Sequence, residues 1–385
     1  MIINSVQTND DIAAFHRLPY TIYTGDPHWI APIRQEVESV FDPKQNKFFE
    51  HGCCERWLLK DNDGRVIGRI AAFIDERTAH AEAQPTGGCG FFECIANQQA
   101  AFLLFDTARD WLLARGMEAM DGPINFGERN AWWGLLVAGF TAPTYQVSYN
   151  PSYYEEFFDG YGFQTYFKQY SYSMDIHAPR PERYTVFHER LLSQGYSFAH
   201  ADKDTIEKAA DDFRHVYNLA WQKFNNFHEM TAAQSLSLLK KMKPVLLDYL
   251  IWFAYYEGEA VAMFVMLPEL NQWFKHVHGN FNLFGKLKFL FYKIFGKNDK
   301  VFGMVFGVVP QHQQRGVEAG IVLAADKVLK ESKQWKEIEL TWVGDFNPRM
   351  INTCETLGAK LVKTHITYRK LFDSKKKFER HPILP

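Results

Sequence analysis

One stretch in the second half of the chain indicates the fold: Val308-Val309-Pro310-Gln311-His312-Gln313-Gln314-Arg315-Gly316-Val317-Glu318-Ala319-Gly320. It follows an apolar run and opens a helical pattern, so it predicts a strand, a polar loop and a helix start. The first N–H groups of a helix have no partner within the helix, and the helix dipole adds positive potential at the same end. The stretch therefore predicts a cradle for a diphosphate group.

The same stretch resembles the acetyl-CoA-binding motif of the GNAT superfamily, in which Gln or Arg, two residues, Gly, one residue and then Gly or Ala grip the CoA pyrophosphate. Gln313 and Gly316 match this pattern, whereas Glu318 places a carboxylate where the family has a small residue. Glycine is also common in loops that only connect a strand to a helix. Both a CoA site and a purely structural loop therefore stay open. The resemblance implies a set of CoA-binding residues: Val308, Val309, Gln313, Gln314, Arg315, Gly316, Val317, Ala319 and Asn347.

Length and composition favour a large globular protein. The chain has 385 residues, of which 46% are hydrophobic and 16% aromatic, and two units of similar size are expected. The net charge of −2 gives no reason to expect a nucleic acid or an anionic membrane as partner. Five cysteines without a CxxC pair indicate neither a disulfide framework nor a metal site. We expect a cytoplasmic protein without stable membrane insertion, because no run is long enough to span a bilayer.

An internal repeat supports two copies of one α/β unit. Equivalent landmarks recur at nearly one spacing: 195 residues from Trp57 to Trp252, 194 from Gly64 to Gly258, 197 from Asn150 to Asn347 and 196 from Gly162 to Gly358. The order of elements in each copy resembles a GNAT domain. We therefore predict an α/β fold of two tandem GNAT-like domains, 1–177 and 178–385, each a mixed, mostly antiparallel twisted sheet flanked by helices.

The two halves differ at two places. The first half has only the short, glycine-free loop Cys94–Ala100 where the second has its candidate CoA loop, so its cofactor loop is expected to be degenerate. The second half carries an insertion, 271–300, with apolar residues and lysines at helical spacing between Leu283 and Phe295. That segment predicts a helix packed on the domain, a lid over a cleft or a membrane-surface helix, and the first is favoured.

Acyl transfer to an amine needs a base for the amine and an acid for the thiolate. In the GNAT family the acid is usually a tyrosine on the helix after the fifth strand. Counting from Asn347 that position is Cys354, and in the first half it is Phe157 or Phe158, so neither copy is expected to have the tyrosine. The residues that we predict as catalytic are Glu339 as base and Cys354 or Tyr368 as acid, with His276 and His278 as further candidates.

A second polar concentration lies between Asn125 and Trp133, where a glycine-flanked loop carries both charges and aromatic walls. Loops of this kind commonly line ligand sites, although a solvated connector is an equally good interpretation. The predicted substrate-binding residues are Glu93, Asn125, Glu128, Arg129, Asn130, His276 and His278.

These observations favour an acyl-CoA-dependent N-acyltransferase, acting by acetyl transfer on an amine of a small molecule or peptide. Two alternatives stay open. One is a non-catalytic GNAT-fold ligand-binding or sensor protein, and the other is a Fem-type aminoacyl transferase, which needs a basic groove that the balanced charge does not support. The oligomeric state is left open by the sequence.

Overall fold

The computed structural model describes residues 1–222 and 229–384. The strands in this part of the chain are β1 (Ile2–Ser5), β2 (Gly52–Lys60), β3 (Val66–Asp75), β4 (Thr86–Cys94), β5 (Ala119–Gly122), β6 (Leu135–Ala138), β7 (Gln164–Asp175), β8 (Tyr196–His200), β9 (Ile251–Tyr256), β10 (Glu259–Pro268), β11 (Lys300–Val308), β12 (Glu337–Gly344) and β13 (Lys360–Leu371). The helices are α1 (Asn9–Ile22), α2 (Arg34–Val40), α3 (Gln98–Leu113), α4 (Tyr154–Tyr161), α5 (Glu182–Ser193), α6 (Ile206–Trp221), α7 (Ala232–Met242), α8 (Asn271–Phe274), α9 (Leu283–Phe295), α10 (Val317–Glu331) and α11 (Pro348–Thr356).

All strands join one continuous sheet in the order β1-β2-β3-β4-β5-β13-β7-β12-β11-β10-β9-β8, with β6 paired to β13. The pairs β4–β5 and β11–β12 are parallel, and the three pairs between β5 and β12 are antiparallel. Consequently β4 and β11 run in opposite directions, and their C-terminal ends lie at opposite ends of the sheet. The predicted mixed, mostly antiparallel sheet flanked by helices is confirmed.

Each half completes its part of the sheet with the closing strand of the other half. β7, the last strand of the first half, pairs with β12, whereas β13, the last strand of the chain, pairs with β5. The two closing strands pair with each other from Lys360 opposite Ser173 to Arg369 opposite Gln164. A cut between residues 177 and 178 would therefore remove from each half a strand that it needs.

The helices cover the two faces of the sheet. Ile366 of β13 belongs to the core beneath α3 and is paired with Lys168 of β7, while Tyr172 and Met174 of β7 belong to the core beneath α10. Alternate residues of a strand share a face, so α3 and α10 lie on the same face. α1 and α6 pack on β3 and β10 from the opposite face.

The predicted strand, loop and helix between residues 308 and 320 are all present. β11 ends at Val308, a single 3₁₀ turn covers Pro310–His312, and α10 begins at Val317. Gly316 precedes the helix at a φ of 86°, in the left-handed region that favours glycine. The predicted insertion contains α8 and α9.

A buried ion-pair network lies where the two halves meet. Glu339 is fully buried, and its Oε1 and Oε2 atoms are 2.8 and 2.9 Å from Nζ of Lys363, which is also buried. Lys300 pairs with the same carboxylate. Burial opposes ionisation of Glu339, but the two ammonium groups outweigh it and lower its pKa. Glu339 therefore joins β11, β12 and β13 as a permanent carboxylate.

Removing the Glu339 charge is expected to destabilise the fold strongly. Glu339→Gln leaves two buried or half-buried ammonium groups without a counter-ion, so the free energy of unfolding in urea should fall by about 3–5 kcal/mol. The matched control is Glu337→Gln, because Glu337 lies 3.4 Å from the same Lys300 but its side chain is 40% exposed. That change should cost less than about 1 kcal/mol. Equal losses in the two variants would contradict the network's role.

Candidate functional site

The first half has a gap between two strands of the sheet. In β4 and β5, only residues 86–88 pair with residues 119–121. Beyond these residues the two strands diverge. Phe91 marks an irregularity on β4 with a φ of 50°. Beyond it, the end of β4 borders the gap and presents Glu93 toward the face of α1.

Glu93 is the centre of a buried hydrogen-bonded cluster in this gap. Its Oε2 atom accepts hydrogen bonds from the hydroxyl groups of Tyr154, at 2.8 Å, and Tyr23, at 3.0 Å. Its Oε1 atom lies 3.6 Å from the Arg69 guanidinium. The Tyr154 hydroxyl also accepts the backbone N–H of Cys94 at 2.8 Å. The Glu93 carboxylate thus connects strand β4 with helices α1 and α4.

Burial sets the protonation of this cluster. It raises the pKa of Glu93, although Arg69 and the two tyrosine hydrogen bonds oppose the shift. Burial and the neighbouring Glu93 carboxylate hold the pKa of Tyr154 well above its usual range, so this phenol stays protonated. Glu93 is therefore poised to accept a proton, and Tyr154 is a protonated donor beside it.

A cavity of about 120 Å³ opens from this cluster between α1, α2 and the sheet. Glu93, Arg69 and Tyr154 line it together with a second carboxylate, Glu36. Burial raises the pKa of Glu36, against hydrogen bonds from Tyr145 and Gln146. Most of the remaining wall is apolar or aromatic, and its larger side chains are Trp29, Ile33, Phe91, Trp132, Tyr145, Tyr149 and Phe274.

The equivalent gap in the second half has different chemistry. The N–H of Ile95 donates to the C=O of Ile67, and the N–H of Val309 donates to the C=O of Val261 in the same way. Cys94 therefore corresponds to Val308, and Glu93 corresponds to Gly307. Tyr153 and Tyr154 hydroxyls hold the C=O and N–H of Cys94. By the 197-residue spacing of Asn150 and Asn347, their counterparts are Met350 and Ile351, which have no hydroxyl.

The candidate CoA loop lies at this second gap. The Gln313 side chain donates to the C=O of Val308 at 3.0 Å, and Gln314 and Arg315 are exposed. α5 covers one side, because Arg190 donates to the C=O of Arg315 at 2.9 Å. Glu318 is half-buried in the first turn of α10, and burial raises its pKa against a hydrogen bond from its own N–H. This carboxyl therefore lies where the family motif has a small residue.

The remaining residues predicted for the cofactor and for catalysis have structural surroundings of their own. Asn347 caps α11, where its side chain accepts the N–H of Met350 at 3.1 Å. Cys354 is fully buried, and burial raises its pKa to about 12. Tyr368 is buried with Phe158 in the core of the first half. Glu339 lies in its ion-pair network, whereas Cys354 shares a hydrophobic core with Val308 and Val317, which flank the candidate CoA loop.

The predicted substrate residues divide among several places. Asn125 is buried, and Glu128, Arg129 and Asn130 are exposed. Arg129 lines a second cavity of about 260 Å³, which Trp342 and Arg369 also line.

The two histidines of the insertion lie outside both cavities. His276 stacks on Tyr292 with ring centroids 3.6 Å apart, and exposed His278 accepts the Tyr20 hydroxyl at its carbonyl. Within the described ranges, no group of three or more potential ligands is arranged to hold a metal ion.

Sequence reasoning missed three members of the Glu93 cluster: Tyr23, Arg69 and Tyr154. The counted position in the first half, Phe157 or Phe158, has no tyrosine, as predicted. A tyrosine hydroxyl nevertheless reaches the gap from Tyr154, one helical turn earlier. The signal was present in the pair Tyr153-Tyr154 after Asn150-Pro151. Helix α4 reaches the gap with its first turn, where Tyr154 lies.

The pairing of Arg69 with Glu93 predicts a pH-dependent loss of stability. Arg69→Gln leaves a buried carboxyl without its cation, so the raised folded pKa of Glu93 rises further. Stability gained by protonation is present below the unfolded pKa and is lost as pH rises through the folded pKa. Urea unfolding should therefore reveal a loss of about 3 kcal/mol at about pH 8 and a smaller one at about pH 5. If adding Glu93→Gln to this variant leaves the pH dependence in place, another group causes it.

Known proteins are similar to the chain over nearly its whole length. It is 31% identical over 380 residues to the "Bacterial ceramide synthase" of Caulobacter vibrioides (strain NA1000 / CB15N), covering 95% of this chain and 96% of that protein. Two solved structures share its fold. One is a GCN5-related glucosamine N-acetyltransferase region of a fungal multi-domain GH3 beta-N-acetylglucosaminidase, with a TM-score of 0.55, 15% identity, and coverage of 96% of this chain and 38% of that one.

The other is a tandem GNAT protein from the clavulanic acid biosynthesis pathway, with a TM-score of 0.51, 10% identity, and coverage of 96% of this chain and 98% of that one. No family model matches the chain. The predicted tandem GNAT fold is confirmed, and together these relatives support an acyltransferase in general terms. The chain belongs to the family of the bacterial ceramide synthase.

Proposed function

We propose that this protein is an acyl-CoA-dependent N-acyltransferase whose acceptor is the amino group of a long-chain amine. One observation carries the proposal: Glu93 and Tyr154 are hydrogen-bonded at 2.8 Å in the strand gap, beside a cavity with aromatic walls. A ceramide is the amide of a fatty acid and a long-chain amino alcohol. The name of the relative therefore agrees with this acceptor class.

The cavity suits an amine with a hydrocarbon tail. Its apolar wall offers contact to methylene groups, whereas Glu93 and Glu36 offer acceptors to an ammonium and to hydroxyl groups. A long-chain amine binds as its ammonium form, which cannot attack a carbonyl. Glu93 is the group placed to take that proton, because burial has already raised its pKa toward the working range of a general base.

The proposed reaction balances at two side chains. Glu93 first takes one proton from the ammonium and releases it to solvent. The amine nitrogen then forms a bond to the thioester carbonyl carbon, the C–S bond breaks, and a second proton of this nitrogen passes to Glu93. Tyr154 protonates the departing thiolate. It then recovers a proton from Glu93 through the hydrogen bond that joins them. The backbone N–H of Cys94, at the same hydroxyl, is placed to polarise the carbonyl oxygen when Tyr154 turns to the sulfur.

The acyl-CoA has two proposed places, at opposite ends of the sheet. At the first gap it meets Glu93 and Tyr154 directly, and we assign the reaction there. At the second gap the Gly316 loop resembles the family motif, but Gly307, Met350 and Ile351 supply neither acid nor base. We propose that this loop, with Gln313 and Gly316, contributes at most a non-reacting CoA site.

Loss of either group of the pair is expected to slow turnover. Glu93→Gln and Tyr154→Phe should each lower kcat/KM by roughly 100-fold or more, because each removes one proton-transfer group. The assay measures release of free CoA thiol from acyl-CoAs of increasing chain length with a long-chain amino alcohol as acceptor. Tyr153→Phe is the matched control, because the Tyr153 hydroxyl donates to the C=O of Cys94 at 2.9 Å instead of to Glu93. This variant should stay within about threefold of the parent.

The pH profile separates catalysis from folding in the same experiment. A base acts when deprotonated, so the acidic limb of kcat/KM should fall as pH drops through the raised pKa of Glu93, above the range of an ordinary glutamate. Glu93→Gln should lose this limb. Normal turnover by Glu93→Gln at any pH would exclude the proposed base. Acyl-CoA binding without turnover, under every acceptor tried, would favour the non-catalytic alternative.

A substitution in the second-half loop decides between the two donor places. Gly316→Glu adds a carboxylate at a position with a φ of 86°, so it should abolish any CoA binding at that loop. If the reaction occurs at Glu93, this variant keeps kcat with the parent's pH profile, and calorimetric titration loses at most one of two CoA sites. A loss of all turnover with the fold intact would place the reaction at the second gap instead.

A further inference from the structure

Helix α9 presents an apolar face to solvent. Its outward large side chains are between 50% and 75% exposed: Leu283, Phe284, Leu287, Leu290, Phe291, Ile294 and Phe295. Single exposed apolar residues are ordinary on protein surfaces, but a contiguous group of this size on one helix marks an interaction site.

The opposite side of α9 packs closely against the rest of the protein. Gly285 is buried, and a Cβ there would be 1.9 Å from the carbonyl oxygen of Asn280. Phe289 stacks on Phe274 with centroids 4.8 Å apart, and Tyr292 stacks on His276. With 3.6 residues per turn, these contacts fix one face of α9 toward α8 and direct the exposed group away from the protein.

The charges around the exposed face have one sign. At helical spacing, Lys286 and Lys293 fall on one flank of the apolar face and Lys288 on the other. Between residues 270 and 298 the sequence contains no aspartate or glutamate. We propose that α9 lies flat in the headgroup region of an anionic lipid bilayer, with its apolar face among the acyl chains and its lysines at the phosphates.

The charge and the length of α9 favour a bilayer surface over a second copy of the chain and over a membrane-spanning helix. A second copy of the chain meeting α9 face to face would bring the same lysines together without an acidic partner. At 13 residues, α9 is about 20 Å long, too short to span the hydrocarbon core. Indeed, no helix in the described part of the chain is both long and apolar enough to cross a membrane. A surface-bound helix fits both facts.

The position of α9 connects a bilayer to the Glu93 cavity. Phe274 of α8 supports α9 and also lines that cavity, where it stacks on Tyr145. Glu269 accepts the N–H groups of Tyr145, at 2.7 Å, and Asn271, at 3.0 Å, and so ties the cavity wall to the insertion. The inference of membrane docking does not depend on the proposed reaction. If both hold, an amine in the bilayer enters the Glu93 cavity beside Phe274, close to the docked helix.

Vesicle flotation of the full chain tests the inference without any substrate. The protein should float with vesicles of phosphatidylcholine and phosphatidylglycerol, and about tenfold less with phosphatidylcholine alone, and high salt should weaken the binding. Phe291→Asp with Phe295→Asp should reduce binding by roughly 100-fold. Lys286→Gln, Lys288→Gln and Lys293→Gln together should reduce it by a similar factor, at about fivefold per lysine.

The controls make the outcome decisive. Leu192→Asp, at a side chain of α5 that is 49% exposed, should bind vesicles like the parent. Thermal unfolding shows whether each variant is folded, and turnover of a water-soluble acceptor should be unchanged in the α9 variants. The inference is overturned if the parent binds neither kind of vesicle, or if the aspartate variant binds like the parent. It is also overturned if light scattering shows that this variant converts an oligomer to a monomer, because α9 then serves self-association.

Discussion

The antiparallel pairing of β7 with β13 is the constraint on which the rest of the structure depends. These are the closing strands of the two halves. β13, from the second half, lies beside β5 of the first half, and β7, from the first half, lies beside β12 of the second half. Their ladder turns two repeats into one sheet and sets β4 and β11 in opposite directions. It also brings Lys363 of β13 beside Glu339 of β12, so burying one carboxylate depends on the strand exchange. Two domains joined only by a linker would have neither feature.

The exchange gives the two strand gaps separate environments. In the first, Glu93, Tyr154 and Tyr23 fill the opening with groups that can hold and move protons, and the backbone of Cys94 is bound by hydroxyl groups. In the second, the corresponding positions are Gly307, Met350 and Ile351, and the loop that contains Gln313 and Gly316 lies beside them. Glu93 and Tyr154 therefore lie at one end of the sheet, and the Gly316 loop, which resembles the GNAT cofactor motif, lies at the other.

The insertion of the second half belongs spatially to the cavity of the first. β10 ends near the first gap because it runs antiparallel to β11, and α8 packs its Phe274 against Tyr145 of the cavity wall. Aromatic side chains occur at two places outside the main cores, in the wall of the Glu93 cavity and on the exposed face of α9. A balanced net charge concealed the second, because the acidic residues that offset the α9 lysines lie elsewhere in the chain.

The sequence by itself determined the repeat, the order of elements, the mixed α/β class and the strand–loop–helix at Gly316. Each of these depends on local periodicity, on turn residues and on spacing along the chain, which are visible without a third dimension. Only the tertiary structure decided which strand closes which half, because β7 and β13 have similar patterns and either pairing satisfies them locally. It alone brought Tyr23, Arg69, Glu93 and Tyr154 together, since residues up to 131 positions apart meet only once the sheet has formed. Likewise, helical spacing predicted α9, but the side of α9 that faces water depends on α8, which packs against the other side.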